Sequence, residues 1–220
     1  MPSITVENYL KNIYFEQQNL AGQRVPTGVL ADAMQVTPGT ATTMVKTLAG
    51  LNLLEYEPRE GVRLTKSGSR MALQVLRRHR LIELFLVKTL KLDWAEVHDE
   101  AEILEHAVSD KVLDRIDHLL GYPKTDPHGD PIPAADATPP PRLKLSTLID
   151  CPLNTALVIS RIVDQDPEFL RFADQRGLTP GTQVLITERD PTADAVTVQP
   201  VGSNAVTLGT RAAGKILVQS

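Results

Sequence analysis

Seven of the sixteen prolines fall within residues 121–142, GYPKTDPHGDPIPAADATPPPR, and this run divides the chain more sharply than any other feature. Each proline lacks a backbone N–H and holds φ near −65°, so the segment is neither helix nor central strand and reads as a linker. Before it, apolar residues recur at helical spacing. After it, TALVISRIV, TQVLITERD, AVTVQP, AVTLG and KILVQ form short β-type runs parted by Gly, Pro, Asp and Asn. A chain of 220 residues is long enough for several domains. The expectation is a mainly α chain with a C-terminal β domain. Its parts are a winged helix-turn-helix over 1–72, a helical domain over 73–122, a linker over 123–145 and an SH3-like barrel over 146–220.

The first part is the most regular. Val6, Tyr9, Leu10, Ile13 and Tyr14 follow helical spacing, with Ser3 or Thr5 as cap. VPTGVLADAM predicts a short helix, and TPGTATTMVKTLAG a longer one, capped by Thr37 with Pro38 at the first helical position. LLEYEPREGVRL then reads as strand, turn, strand, with Arg59 and Arg63 flanking the tip. A helix-turn-helix followed by such a hairpin is a winged-helix DNA-binding module. Thr37, Gly39, Thr40, Thr42, Thr43 and Lys46 on the second helix of the pair, with Arg59 and Arg63 on the wing, are the candidate DNA contacts.

The net charge is −4, but its distribution is uneven. Residues 1–72 carry seven Lys/Arg against six Asp/Glu, residues 73–142 nine against thirteen, and residues 143–220 seven against eight. The acidity sits in the middle, in HRLIELFLVKTLKLDWAEVHDEAEILEH, which also holds three of the five histidines. A long helix from Ser67 to about Leu90 and a second from about Trp94 to Leu120 are expected here. On one continuous helix, with His98 at zero, Glu102 lies at roughly 40°, Glu105 at roughly −20° and His106 at roughly 80°. His79 and Glu83 share a face of the preceding helix at i, i+4. Oxygen and nitrogen donors without sulfur suit Mn(II) or Fe(II). The apolar face of the second helix is wider than one internal contact needs, which points to a homodimer.

Other classes are excluded by the totals. No apolar run approaches the roughly 20 residues that span a bilayer, so no membrane partner is expected. The first residues lack the basic and then apolar pattern of a signal peptide. The lone Cys151 allows neither a disulfide framework nor a thiolate cage, and a cytoplasmic location follows as the expectation. No catalytic residues are assigned, because no nucleophile pattern or phosphate-cradling glycine loop accompanies the acidic strip.

VENYLKNIY, QVTPGTATTMVKTLAGLNLLEY, LTKSGSRMALQVLRRHRLIELFL, VHDEAEILEHAVSD and DPHGDPIP together resemble the diphtheria-toxin-repressor family of metal-dependent transcriptional regulators. The likeness is strongest to manganese-responsive members with a C-terminal FeoA-type, SH3-like domain. It implies a primary metal site of Asn8, Glu102, Glu105 and His106. It implies an ancillary site of His79, Glu83 and His98, completed from the barrel by Glu168 and by Gln165 or Asp166. Glu102 stands where iron-type members have cysteine, which places manganese ahead of iron. Zn(II), Co(II) or Cd(II) are expected to substitute in vitro. Asn8 stands where manganese-type relatives have aspartate, and Asp126 where several have cysteine, so Asp126 and His128 are a possible extra ligand pair.

The resemblance implies a metal-dependent regulator that binds a palindromic double-stranded DNA operator as a dimer and controls metal-homeostasis genes. Two other readings stay open at this point: a metalloenzyme with an accessory winged helix, and a winged-helix regulator answering a small organic ligand.

Overall fold

The structure is a computed structural model, and it describes residues 3–141 and 143–219. Arg142 of the expected linker and Ser220 of the expected C-terminal domain lie outside the described residues. The chain divides into two compact units, one of Met1–His79 with Pro133–Pro139, the other of Arg80–Ile132 with Pro140–Ser220.

The first unit begins with α1 (Ile4–Asn19), α2 (Thr27–Ala33) and α3 (Pro38–Gly50). Ser3 caps α1 by accepting from Val6 N, and Thr37 caps α3 by accepting from Thr40 N, with Pro38 inside the first turn. Tyr9, Leu10, Ile13, Leu30, Val45 and Leu48 are driven together as the core, which Leu54, Val62 and Ala72 extend. The wing is β1 (Leu54–Glu57) and β2 (Gly61–Leu64), antiparallel with Leu54 opposite Leu64 and Glu57 opposite Gly61. Val25 adds a bridge to Val62, with paired N–H···O bonds of 2.8 and 2.9 Å. Gly61 makes this approach feasible: at φ +114°, a Cβ there would lie 2.2 Å from the Val25 carbonyl oxygen.

α4 (Lys66–Lys88) runs unbroken, and the division between the units falls within it, after His79. In the second unit α5 (Val97–Leu104) and α6 (Asp110–Leu119) follow. One helix over 94–120 was expected, and the structure corrects this. Ser109 accepts from Val112 N and opens α6, so the chain turns at 105–109 instead of continuing. Ser, Asp and Asn compete with the helix backbone and favour such caps over helix interiors. Ile103, Val112 and Leu119 remain more than half-exposed or close to it, leaving apolar surface uncovered in the single chain.

Among its described residues the proline-rich run contains no helix or ladder strand, as its prolines require, and part of it is buried: Asp126, His128, Gly129, Asp130, Ile132 and Pro133. Thr125 bridges Pro131, and Asp126 Oδ1 accepts from both His128 N and Asp130 N, at 2.8 and 2.9 Å. Side-chain bonds to backbone thus replace the ladder that proline forbids. Residues 124–132 form a strap against the β domain. At Gly129, φ is +87° and a Cβ would sit 1.9 Å from Ser160 O, so the strap backbone lies directly on that strand.

That domain contains β3 (Ser146–Thr147), β4 (Ala156–Ile162), α7 (Pro167–Asp174), β5 (Gln183–Asp190), β6 (Ala195–Pro200), β7 (Val206–Gly209), α8 (Thr210–Ala213) and β8 (Ile216–Gln219). Six antiparallel strands run in the order β3-β8-β4-β5-β6-β7, the small SH3-like domain that the alternating pattern predicts. Register shifts at Ile159/Arg161 and Ile186/Glu188 mark irregularities of the kind that bend a sheet. Leu157, Ile159, Ile162, Leu170, Val184, Ile186, Val196, Val198 and Ile216 fill its core.

Candidate metal centre and DNA-reading surface

On α3, Thr37, Gly39, Thr40, Thr43 and Lys46 are exposed and Thr42 is half-buried. Thr42 Oγ donates to Pro38 O at 2.7 Å and Thr43 Oγ to Gly39 O at 3.0 Å, so their hydrogens point into the helix and their lone pairs remain for a partner. Lys46 adds positive charge one turn on. Arg59 lies in the wing turn at φ +73°. Arg63 is exposed, and it donates to Gly22 O at 3.2 Å, which ties it to the α1–α2 loop. The wing is not simply basic. Arg24 lies 3.4, 3.9 and 3.8 Å from carboxylates of Glu55, Glu57 and Glu60, a neutralising contact that the linear sequence did not reveal.

The expected metal ligands fall into several places. Glu83 on α4 is 1% exposed. Its Oε1 is 3.3 Å from His98 Nδ1 on α5, and its Oε2 is 3.9 Å from His128 Nδ1 on the strap. His98 Nε2 in turn lies 3.8 Å from Glu102 Oε1. Among the described residues three groups place one donor atom per residue within 4.8 Å of one another: His79, Glu83 and His98; His79, Glu102 and Glu105; and Glu83, Asp126 and His128. His79 joins through α4 itself, since it and Glu83 are one turn apart on the same unbroken helix.

Glu105 keeps the helical course of α5, its N–H donating to Ala101 O at 2.9 Å, and it shares a group with Glu102; His106 follows in the turn. Glu105 is fully buried, with its Oε1 3.2 Å from His106 Nε2. Asn8 lies on α1, in the other unit; its Oδ1 is buried with no hydrogen-bond partner among the described residues. Of the residues expected from the β domain, Glu168 is exposed in the first turn of α7 and belongs to none of the three groups. Gln165 donates instead to Asp130 Oδ2 at 3.1 Å, and Asp166 caps α7.

The Glu83–Asp126–His128 group is the most enclosed. Asp126 Oδ2 and His128 Nδ1 are buried without a hydrogen-bond partner among the described residues. Burial pushes the Asp126 carboxyl well above the usual carboxylate range; the charges of Asp130 and Glu83 push it further, and Arg80 pulls it back. Arg80 Nε is 3.5 Å from Asp126 Oδ2, and its Nη2 donates to Asp130 Oδ1 at 3.2 Å. Arg161 also reaches Asp130, at 2.6 Å. Buried charge of this kind is costly unless paired. The buried carboxylate oxygen and imidazole nitrogen, neither of them in a hydrogen bond among the described residues, are hard or intermediate donors that fit a divalent cation.

Comparison with known proteins decides the class. Residues 1–62 match the family described as "Iron dependent repressor, N-terminal DNA binding domain". Residues 65–134 match "Iron dependent repressor, metal binding and dimerisation domain", and residues 146–220 match "FeoA domain". The iron-dependent repressor IdeR of Mycobacterium leprae (strain TN) is 30% identical over 216 residues, covering 93% of this chain and 92% of that protein. This chain belongs to the iron-dependent repressor family, that of the diphtheria toxin repressor.

As a member of the family it is a metal-dependent, DNA-binding transcriptional regulator and not an enzyme. A solved manganese-dependent transcriptional repressor in complex with manganese superposes with a TM-score of 0.85 at 39% identity, covering 98% of this chain and 99% of that one. The structure of ScaR with bound Zn²⁺ gives 0.77 at 33%, covering both chains fully. Among the described residues of this family member, no helix is long and apolar enough to cross a membrane. Arg80, Asp130, Arg161 and Trp94 were missed as parts of the site. Only the adjacency of Arg80 to His79, and of Asp130 to the DPHG string, hinted at the first two.

Proposed function

We propose that this chain senses Mn(II), with Fe(II) as the second candidate, and uses it as co-regulator for binding palindromic operators of metal-homeostasis genes as a homodimer in the cytoplasm. The observation that carries the reading is the gathering of carboxylates that are almost wholly withdrawn from water, Glu83 at 1%, Glu105 at 0% and Asp126 at 5% exposure, beside imidazoles. A bound divalent ion would add positive charge among these carboxylates and imidazoles. Glu83, Asp126 and His128 would hold one ion, with His98 and His79 as further donors on the other side of Glu83. Glu102, Glu105 and His106 would hold a second. Zn(II), Co(II) and Cd(II) would enter the same donor sets in vitro, because affinity there follows the Irving–Williams order. Glu168 has the weakest support as a ligand.

The protein's own residues would then do two things. Metal-free, the crowded carboxylates repel one another and disfavour the closed arrangement of the site. On the reading head, the hydroxyls of α3 and the cations Lys46, Arg59 and Arg63 contact bases and phosphates of half-sites one helical turn, roughly 34–36 Å, apart. Cation can favour the DNA-competent population only by binding it more tightly than the other. The test is DNA binding by Glu105→Ala, His106→Ala and Glu83→Ala in the presence of Mn²⁺. Loss of metal-stimulated binding in dimers that remain folded supports the reading. Parent-like binding with the parent's metal dependence refutes it.

The manganese-dependent repressor and the zinc-bound ScaR, named above as similar in fold, favour metal over a small organic co-regulator.

A further inference from the structure

His128 is fully buried and stands between two partners of opposite kind. Its Nε2 lies 2.8 Å from the backbone carbonyl oxygen of Trp94, and its Nδ1 lies 3.9 Å from Glu83 Oε2. A carbonyl oxygen only accepts, so Nε2 must carry the hydrogen. The 3.9 Å gap is too long for a hydrogen bond, and Nδ1 has no other hydrogen-bond partner among the described residues. The neutral ring with a bare Nδ1 is therefore the tautomer that the surroundings favour. The Trp94 indole covers the imidazole as well, with ring centroids 5.5 Å apart and planes 25° from parallel. Trp94 Nε1 has no hydrogen-bond partner among the described residues, so packing on the β-domain core holds the indole in place.

We propose that Trp94 is the positioning residue of the buried group. Its carbonyl fixes the His128 tautomer and its ring fixes the imidazole plane, so that the Nδ1 lone pair faces Glu83 and Asp126 ready for a divalent cation. This inference rests on the reading that Glu83, Asp126 and His128 bind metal. A backbone carbonyl on the acceptor side of a ligating histidine is a recurrent means of fixing tautomer and raising ligand basicity, and disturbing such partners costs about 10- to 100-fold in metal affinity. The carbonyl survives every substitution at position 94, but its placement depends on how the ring packs.

The experiment uses the full chain labelled with ¹⁵N-histidine. Long-range ¹H–¹⁵N spectra of the metal-free protein should give His128 as the Nε2–H tautomer. Zn²⁺, as diamagnetic probe, should shift the bare Nδ1 signal. Mn²⁺ calorimetry should find affinity in Trp94→Leu reduced by about 10- to 100-fold, with mixed His128 tautomers, and Trp94→Phe should restore most of it. A His128 proton on Nδ1 in the parent overturns the proposal without needing any variant to fold. Parent affinity in Trp94→Leu overturns it too. His128→Gln separates the two levels: unchanged ion stoichiometry and affinity there sinks the metal reading and the positioning role together. Loss of an ion there, with the wrong parent tautomer, sinks only the role of Trp94.

Discussion

Arg80 Nε lies 3.5 Å from Asp126 Oδ2, both side chains almost wholly out of water, so the nearest positive charge to the enclosed carboxylate comes from α4 itself. The same guanidinium donates to Asp130 Oδ1 and to Pro131 O, which latches the strap to the helix. Removing one partner of a buried ion pair costs about 3–5 kcal/mol. Arg80→Ala is therefore expected to destabilise the metal-free protein by roughly that amount in urea denaturation. Mn²⁺ should recover a larger share of stability than it adds to the parent.

Asp126→Asn should act in the opposite direction, because Arg80 keeps Asp130 as its partner when Asp126 is neutralised. Burial first, then Asp130 and Glu83, hold the Asp126 carboxyl well above its ordinary range. A carboxyl raised in this way contributes stability that is present below its unfolded value and lost as pH rises through the folded value. At neutral pH, above the unfolded value, the metal-free parent has thus lost stability in a way that the amide does not share. The variant should melt higher than the parent at about pH 7, and the gap should close by about pH 4, near the ordinary carboxylate value. Its Mn²⁺-induced rise in Tm should be smaller than the parent's. Calorimetric melts at both pH values check the sign.

Gly129→Ala tests the strap. An added Cβ meets Ser160 O at 1.9 Å, and φ of +87° is unfavourable for any side chain. Strain of this kind costs about 1–3 kcal/mol before the clash is counted. The variant should lose the ion held by Glu83, Asp126 and His128, which metal analysis after dialysis would detect. Its wing and helix-turn-helix should stay folded, as read by exchange protection of α1 and α3.

Lys46→Ala and Arg59→Ala should leave stability unchanged, because both side chains are exposed. Each should weaken DNA binding about evenly across sequences and lower the slope of log K against log salt by about 1. Arg63→Ala is expected to do the same with some loss of stability, since it also ties the Gly22 loop.

The reading head was legible because its signals are local. Thr37 and Pro38 announce α3 wherever it packs, and the Glu60-Gly61 turn announces the wing. The SH3-like domain was legible from its alternation. The break at Ser109 was not, because the apolar period continues through it and only the cap reveals the stop. The burial of the strap was not legible for a similar reason: proline forbids a ladder but not burial, and Asp126 supplies the bonds that the ladder would have made. His98, Glu83 and His128 were named from their spacing or from resemblance. Trp94, Arg80, Asp130 and Arg161 act across tens of residues of sequence, and no periodicity reports such contacts.

The central claim is tested most directly by one titration of metal-free dimer onto a DNA fragment selected by the manganese-loaded protein, followed by fluorescence anisotropy. Binding should be weak without metal, tighten with micromolar-range Mn²⁺ and reverse on adding a chelator, with Glu105→Ala remaining at the metal-free level throughout. Affinity that is the same with Mn²⁺, without it and with chelator would contradict the account.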